Sequence, residues 1–323
     1  MRKLLLSTTA LASAAVLTAN IAVADVSISA TTEWKYVSTS SNVTAQDGTK
    51  FDHDSEIAFN FSNKTDSGLT IGYTVELDTD ASTATPVDES SFSISGGFGK
   101  IVLGQNDGVG DNYGISAEDA IAEEHSPTLT GATIRQNTDM HISSNDNNKV
   151  AYHLPKMGGL TAGISYEDSG NVGSTDITAV GFNYTMQAAG NTITIGGGTA
   201  TQEATTTDTD HQNLGVKVVS GNLTFIAAQA SKEAVDEDIN SVGAALSYKM
   251  GNGMVLGAYT MKSEDDLDAG EEYSTSGVEV QYTIAAGLTA VVNVSDYDYK
   301  IDTTGSATAD SGTISKFTIK ASF

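Results

Sequence analysis

Gly277-Val278-Glu279-Val280-Gln281-Tyr282-Thr283-Ile284-Ala285-Ala286-Gly287 decides the fold. Val278, Val280, Tyr282 and Ile284 fall on one side of an extended chain; Gly277, Glu279, Gln281 and Thr283 fall on the other. A period of two is the signature of a strand with one apolar face. The run ends at a glycine, the residue that takes positive φ in a tight hairpin without steric cost.

The same grammar extends in both directions. Val26, Ile28, Ala30, Thr32, Trp34 and Tyr36 alternate with Ser27, Ser29, Thr31, Glu33 and Lys35. Leu69, Ile71, Tyr73, Val75 and Leu77 alternate with Thr70, Gly72, Thr74, Glu76 and Asp78. At the far end Phe317, Ile319, Ala321 and Phe323 oppose Lys316, Thr318, Lys320 and Ser322. Sixteen such segments are predicted, over 25–37, 53–63, 69–79, 89–96, 100–105, 147–154, 160–168, 176–187, 191–201, 210–219, 222–232, 238–249, 254–262, 273–284, 288–299 and 313–323. Their connections alternate. Seven short, glycine-bearing turns interleave with eight long, polar loops, as an antiparallel set with both termini on one side requires. The longest connection, 106–146, follows the fifth strand.

A soluble sandwich accommodates alternating strands but gives no reason for strict long–short alternation. An all-β transmembrane antiparallel barrel of sixteen strands does, with short turns at one rim and long loops at the other. Past Val23 no segment is apolar enough to cross a bilayer as a helix, which takes about 20 residues. In a barrel the apolar face meets lipid and the polar face lines a lumen too wide for side chains to fill. Trp34, Tyr36, Phe92, Tyr152, Tyr166, Tyr184, Tyr248, Tyr259, Tyr297 and Tyr299 lie near strand ends and read as interfacial girdles. The three prolines fall in connections and interrupt no ladder.

The chain opens with Arg2 and Lys3, a diluted apolar run from Leu4 to Val23, and the small-residue sequence Ala22-Val23-Ala24. This predicts a signal peptide over 1–24, cleaved to leave a single barrel domain over 25–323. The net charge of −25 argues against nucleic acid as a partner. With no cysteine, disulfides and thiolate chemistry are excluded.

Three stretches resemble one family, the sixteen-stranded trimeric general diffusion porins of bacterial outer membranes, the alphaproteobacterial kind above all. They are the turn Thr65-Asp66-Ser67-Gly68-Leu69, the hairpin Gly96-Gly97-Phe98-Gly99-Lys100-Ile101-Val102-Leu103-Gly104, and the terminal Phe323. The resemblance implies a homotrimer in the outer membrane, contacting its lipid and passing small hydrophilic solutes and ions. It implies that Phe323 is read by the outer-membrane assembly machinery. It also implies that the third long loop, 106–146, folds into the pore as a constriction. Acids there are Asp107, Asp111, Glu118, Asp119, Glu123 and Glu124, and Ser116–Glu124 reads as a short helix capped by Ser116 with Asp119 three residues on. The family sets a basic wall against such a loop. Candidates are Lys35, Lys217, Lys316 and Lys320, with Arg135 at the loop's exit. The usual arginine cluster is missing, so the expectation is a cation-preferring pore.

Nothing points to an enzyme. His53, His125, His141, His153 and His211 are scattered, and no nucleophile–base pattern accompanies them. No cofactor is expected. Asp265-Asp266 and Asp236-Glu237-Asp238 offer at most weak Ca²⁺ binding, without EF-hand spacing. Two other readings keep the barrel: a substrate-specific channel, and an adhesin or structural surface protein.

Overall fold

The computed structural model describes residues 25–79, 87–123, 138, 147–168, 176–203, 207–267, 270–301 and 308–323. Residues 1–24, read above as the signal peptide, lie outside them. The described chain forms sixteen antiparallel strands closed into one barrel. The first five are Asp25–Ser41 (β1), Gly48–Lys64 (β2), Thr70–Asp78 (β3), Val87–Gly96 (β4) and Gly99–Gln105 (β5). After the longest connection come Asn148–His153 (β6), Leu160–Glu167 (β7), Ile177–Ala188 (β8), Asn191–Gln202 (β9), Thr209–Ser220 (β10) and Leu223–Glu233 (β11). The last five are Asp238–Lys249 (β12), Met254–Asp265 (β13), Glu272–Ala285 (β14), Leu288–Lys300 (β15) and Asp310–Ser322 (β16).

Every strand pairs with its sequence neighbours, and β1 closes the ring on β16 in a register running from Thr31↔Ser322 to Ser41↔Gly312. Closure leaves no edge strand, so the backbone groups find partners without water. The terminal residue joins the seam: Phe323 N–H donates to the Ala30 carbonyl at 2.9 Å. Each of the seven short turns carries a glycine at positive φ, from Gly68 (84°) in the first to Gly287 (75°) in the last.

All sixteen predicted strands are present. The largest boundary difference is in the first hairpin, where β1 runs to Ser41 and β2 begins at Gly48. The ladder continues through Tyr36↔Phe51 and Thr39↔Gly48. Apolar alternation fades there because both faces have left the lipid, while backbone pairing does not need it.

The outward face carries the exposed apolar side chains, among them Trp34, Ile164, Tyr166, Val180, Phe182, Leu246 and Val278. Seven of the ten predicted girdle aromatics fit this face. Tyr259, Tyr297 and Tyr299 do not: they are 5%, 4% and 1% exposed and belong to buried clusters on the opposite face. That face is therefore not uniformly polar. It holds three apolar clusters, and two of them pack against the connection that follows β5.

Candidate pore constriction

The connection after β5 leaves the ladder at Asn106 and forms one helical turn, Val109–Tyr113 (α1). Two apolar side chains fasten it. Val109 is fully buried and Tyr113 half-buried against Val102, Ala151, Ile177, Ala179 and Ala200. Val109 N–H donates to Ser165 Oγ at 3.2 Å, and the Tyr113 hydroxyl donates to the Ala162 carbonyl at 3.3 Å. The same hydroxyl lies 2.8 Å from His153 Nδ1. Burial pushes the Tyr113 phenol above its ordinary pKa.

The strands make room for this segment by omitting side chains. A Cβ on Gly163 would come within 3.0 Å of both Val109 and Tyr113, and one on Gly196 within 2.6 Å of the Tyr113 carbonyl oxygen. A Cβ on Gly215 would collide with the backbone and side chain of Ile115. Glycine inside a strand often marks such a close approach. These positions form a track across β7, β9 and β10, on the face opposite the exposed apolar side chains.

Beyond α1 the segment is held by side-chain amides and hydroxyls. Asn213 accepts from Ile115 N–H at 3.3 Å and donates to the Ile115 carbonyl at 3.2 Å, so one side chain imitates a strand partner. A 3₁₀ turn follows over Ala117–Ala120. Ser116 donates its N–H and its hydroxyl to the Asp119 carboxylate, each at 3.2 Å. Glu118 accepts from the N–H and hydroxyl of Thr138, at 2.9 and 2.7 Å. Ile115, Ala117 and Ala120 pack on Ile226, Ala245, Tyr259 and Met261, with Ile121 at the margin.

Ile121–Glu123 is then clamped from two sides. Glu279 on β14 is 2% exposed and accepts from the N–H groups of Ala122 (2.8 Å) and Glu123 (3.1 Å). Gln281 and Asn293 also donate to it, at 2.8 and 3.3 Å, and hold the carboxylate from the wall side. From β16, Lys320 donates to the Ala122 carbonyl at 2.7 Å and pairs with Glu123 at 3.3 Å and Glu33 at 2.7 Å. Lys35 pairs with the other oxygen of Glu33 at 3.0 Å.

The sequence matches the model of the Gram-negative porin family over residues 7–303. The chain belongs to the Gram-negative porin family. No curated protein matches it in sequence. Solved porins share its fold. The trimer form of OmpT, an outer-membrane protein of Vibrio cholerae, is 14% identical, with a TM-score of 0.68, covering 93% of this chain and 99% of that one. An anion-selective porin from Comamonas acidovorans is 16% identical, with a TM-score of 0.66, over 93% and 100% of the two chains. A variant of the Rh. blastica porin is 15% identical, with a TM-score of 0.68, over 93% and 100%. This porin is accordingly an outer-membrane protein, and its barrel is a channel.

The residues singled out from the porin's sequence fall into separate groups. Glu118, Asp119 and Glu123 lie together on the anchored segment, each already bonded as described. Asp111 is half-buried in the first turn of α1 and Asp107 is exposed just before it. Glu124 and Arg135 lie outside the described residues. Lys35 and Lys320 share the Glu33–Glu123 cluster; Lys320 touches the loop directly, and Lys35 reaches it only through Glu33. Lys316 and Lys217 sit on the same inward faces of β16 and β10, both half-buried. The helix expected over Ser116–Glu124 is one 3₁₀ turn, because Ile121–Glu123 extends to reach Glu279 and Lys320.

Reading the sequence did not single out α1, the glycine track or Asn213, and it placed Glu279 on the polar face of its strand without a partner in the loop. A signal was there for the glycines, which recur inside β7–β10 where a strand has no need of them.

Proposed function

We propose that this porin is a water-filled passive pore for small hydrophilic solutes and ions, that it prefers cations, and that loop 106–146 narrows it. The observation that carries this is the seat of residues 109–123. Their contacts lie on the strand face opposite the exposed apolar side chains. A closed barrel has only two faces, so a segment on the non-lipid face lies in the lumen. Sixteen strands enclose more space than side chains fill, and water takes the rest.

The charge balance supports cation preference. Lys35 and Lys320 are compensated by Glu33 and Glu123 within the same cluster. Across the lumen from the loop's seat, β2 and β3 present Asp54, Glu56, Glu76 and Asp78 on their inward positions, with Glu56 directly opposite Asp78. Carboxylates on a narrow wall attract cations and repel anions. We extend to this chain the trimer reported for the V. cholerae protein, export directed by residues 1–24, and recognition of Phe323 during assembly. Diffusion requires no catalytic group and no cofactor.

Planar-bilayer recording tests the reading. Stepwise single channels with a cation-selective reversal potential in a salt gradient are expected, together with size-limited sugar uptake by proteoliposomes. Well-folded protein that gives no steps, or a reversal potential of the opposite sign, overturns it.

A further inference from the structure

The outward wall of β9–β12 contains a groove that lipid chains cannot satisfy. Two rows of outward side chains cross these strands. Gln229 stands in the lower row between Leu214 and Val242, its ladder partners on either side. The upper row is Thr199, Gln212, Ser231 and Asn240. Between the rows lies a groove of about 300 Å³, floored by the backbone of Asn213, Ala230 and Ser241, whose side chains are buried on the inner face. Leu214 and Val242 are 43% and 56% exposed, which places the lower row at the apolar belt. Gln229 and Gln212 are exposed as well.

Thr199, Gln212, Gln229 and Ser231 have no side-chain hydrogen bond among the described residues, whereas Asn240 is held by Asp266 at 3.1 Å. Amide groups in contact with hydrocarbon are costly unless a partner satisfies them. One register step higher the wall is acidic: Asp210 faces Glu233, and Glu233 faces Asp238. The groove thus lies where the apolar belt meets the charged rim, at the headgroup level of the outer leaflet. Its own lining is uncharged, and the carboxylates above it repel both anionic headgroups and the same acidic row of a second copy brought against this wall.

We infer that this groove is a lipid-binding site that seats the uncharged, hydroxyl-bearing headgroup of an outer-leaflet lipid. Sugar or glycerol hydroxyls bond to Gln212, Gln229, Thr199 and Ser231, while the first methylenes lie on Leu214 and Val242.

The test uses the full barrel in mixed micelles. Galactosyl dioleoylglycerol and dioleoyl-phosphatidylglycerol are offered in turn, and native mass spectrometry counts the lipid retained. The galactosyl lipid is expected to be retained in preference. The double variant Gln212→Leu/Gln229→Leu should weaken its retention by about fivefold or more, one hydrogen bond's worth. Both changes are apolar on a lipid-facing wall, so the barrel folds, as its heat-dependent gel mobility will report. Ser276→Leu, an exposed position on β14 away from the groove, should leave retention unchanged. Equal retention of the two lipids overturns the inference. So does unchanged retention in the double variant, or a loss of barrel-to-barrel association in its place.

Discussion

Two walls of this barrel are built from the same strand grammar and do opposite things. The wall of β7–β13 sets Gly, Ala and a few large apolar side chains on many of its inward positions, with Ser165 and Asn213 among them as hydrogen-bonding points, and a segment of polypeptide lies on it. The wall of β2–β4 fills the same positions with Asp54, Glu56, Asn60, Thr74, Glu76, Ser91 and Ser93. In this barrel the glycines and apolar inward positions mark where the loop segment lies, and the part-exposed carboxylates and hydroxyls of β2–β4 mark the wall it leaves uncovered. Inward polarity is therefore a map of the pore rather than a uniform lining.

Ion pairs offer the sharpest way to break that comparison. Lys149–Glu167, between β6 and β7, spans 3.1 Å with both side chains no more than 3% exposed. Lys50–Asp52, on β2, spans 3.0 Å with side chains 65% and 50% exposed. Lys149→Met leaves Glu167 buried and uncompensated and is expected to cost about 3–5 kcal/mol. Lys50→Met should cost about 0–1 kcal/mol, because water and salt already screen that pair. Urea unfolding in lipid vesicles measures both. Equal losses would mean that the two walls are equally wet.

The glycines give the next contrast. Gly215→Val drives a side chain into the Ile115 backbone, and overpacking of this kind costs about 1–3 kcal/mol. Because the clash is with the loop rather than with a neighbouring strand, the loop should lift and single-channel conductance should change. At Gly72, on the water-facing wall, the nearest atom to an added Cβ is the Ser93 hydroxyl at 2.7 Å, the movable end of a side chain. Gly72→Ala should leave conductance as it was. A conductance change at Gly72 and none at Gly215 would reverse the assignment of the two walls.

The same contrast explains what could be read in advance. Strand number, turn positions and the lipid face were legible because period two and glycine punctuation are local properties of the chain. The seat of the loop was not. It depends on which inward positions of seven strands come into line once the register is fixed, and no window of sequence contains that alignment. The acids of the loop were legible as a cluster and Lys320 as a candidate on the facing wall, yet the pairings were not, since Thr138 reaches Glu118 from 20 residues away, and Glu279 and Lys320 reach Glu123 from 156 and 197. Tyr259, Tyr297 and Tyr299 misled for the same reason: near a strand end, an aromatic looks alike whether its ring meets a headgroup or the inner wall.

The clamp at Glu279 tests how firmly the loop is seated. Glu279→Gln keeps the shape but replaces one acceptor oxygen with a donor, so one of the Ala122 and Glu123 amides loses its partner. A hydrogen bond to a charged group contributes about 1.5–3 kcal/mol, less than the whole seat. The barrel should stay folded while open-channel noise rises and the closing voltage falls. Noise and threshold both unchanged would place the loop's hold in the apolar contacts of Val109 and Ile115 alone.

Selectivity carries the smallest energy and separates the walls most directly. Glu56 and Glu76 occupy inward positions of β2 and β3, on the wall assigned to water, whereas Glu123 is 4% exposed and paired with Lys320. Each substitution to Gln removes one negative charge, so a difference between them reports location and not net charge. A charge at the edge of the ion path acts on each passing ion, while one screened behind a counter-charge acts weakly. Glu56→Gln/Glu76→Gln should therefore lower the cation-to-anion permeability ratio more than Glu123→Gln/Glu118→Gln does, as read from reversal potentials in a salt gradient at low ionic strength. If the loop pair proves the stronger, the ion path hugs the anchored segment, and the acidic wall of β2 and β3 stands outside the narrowest part of the pore.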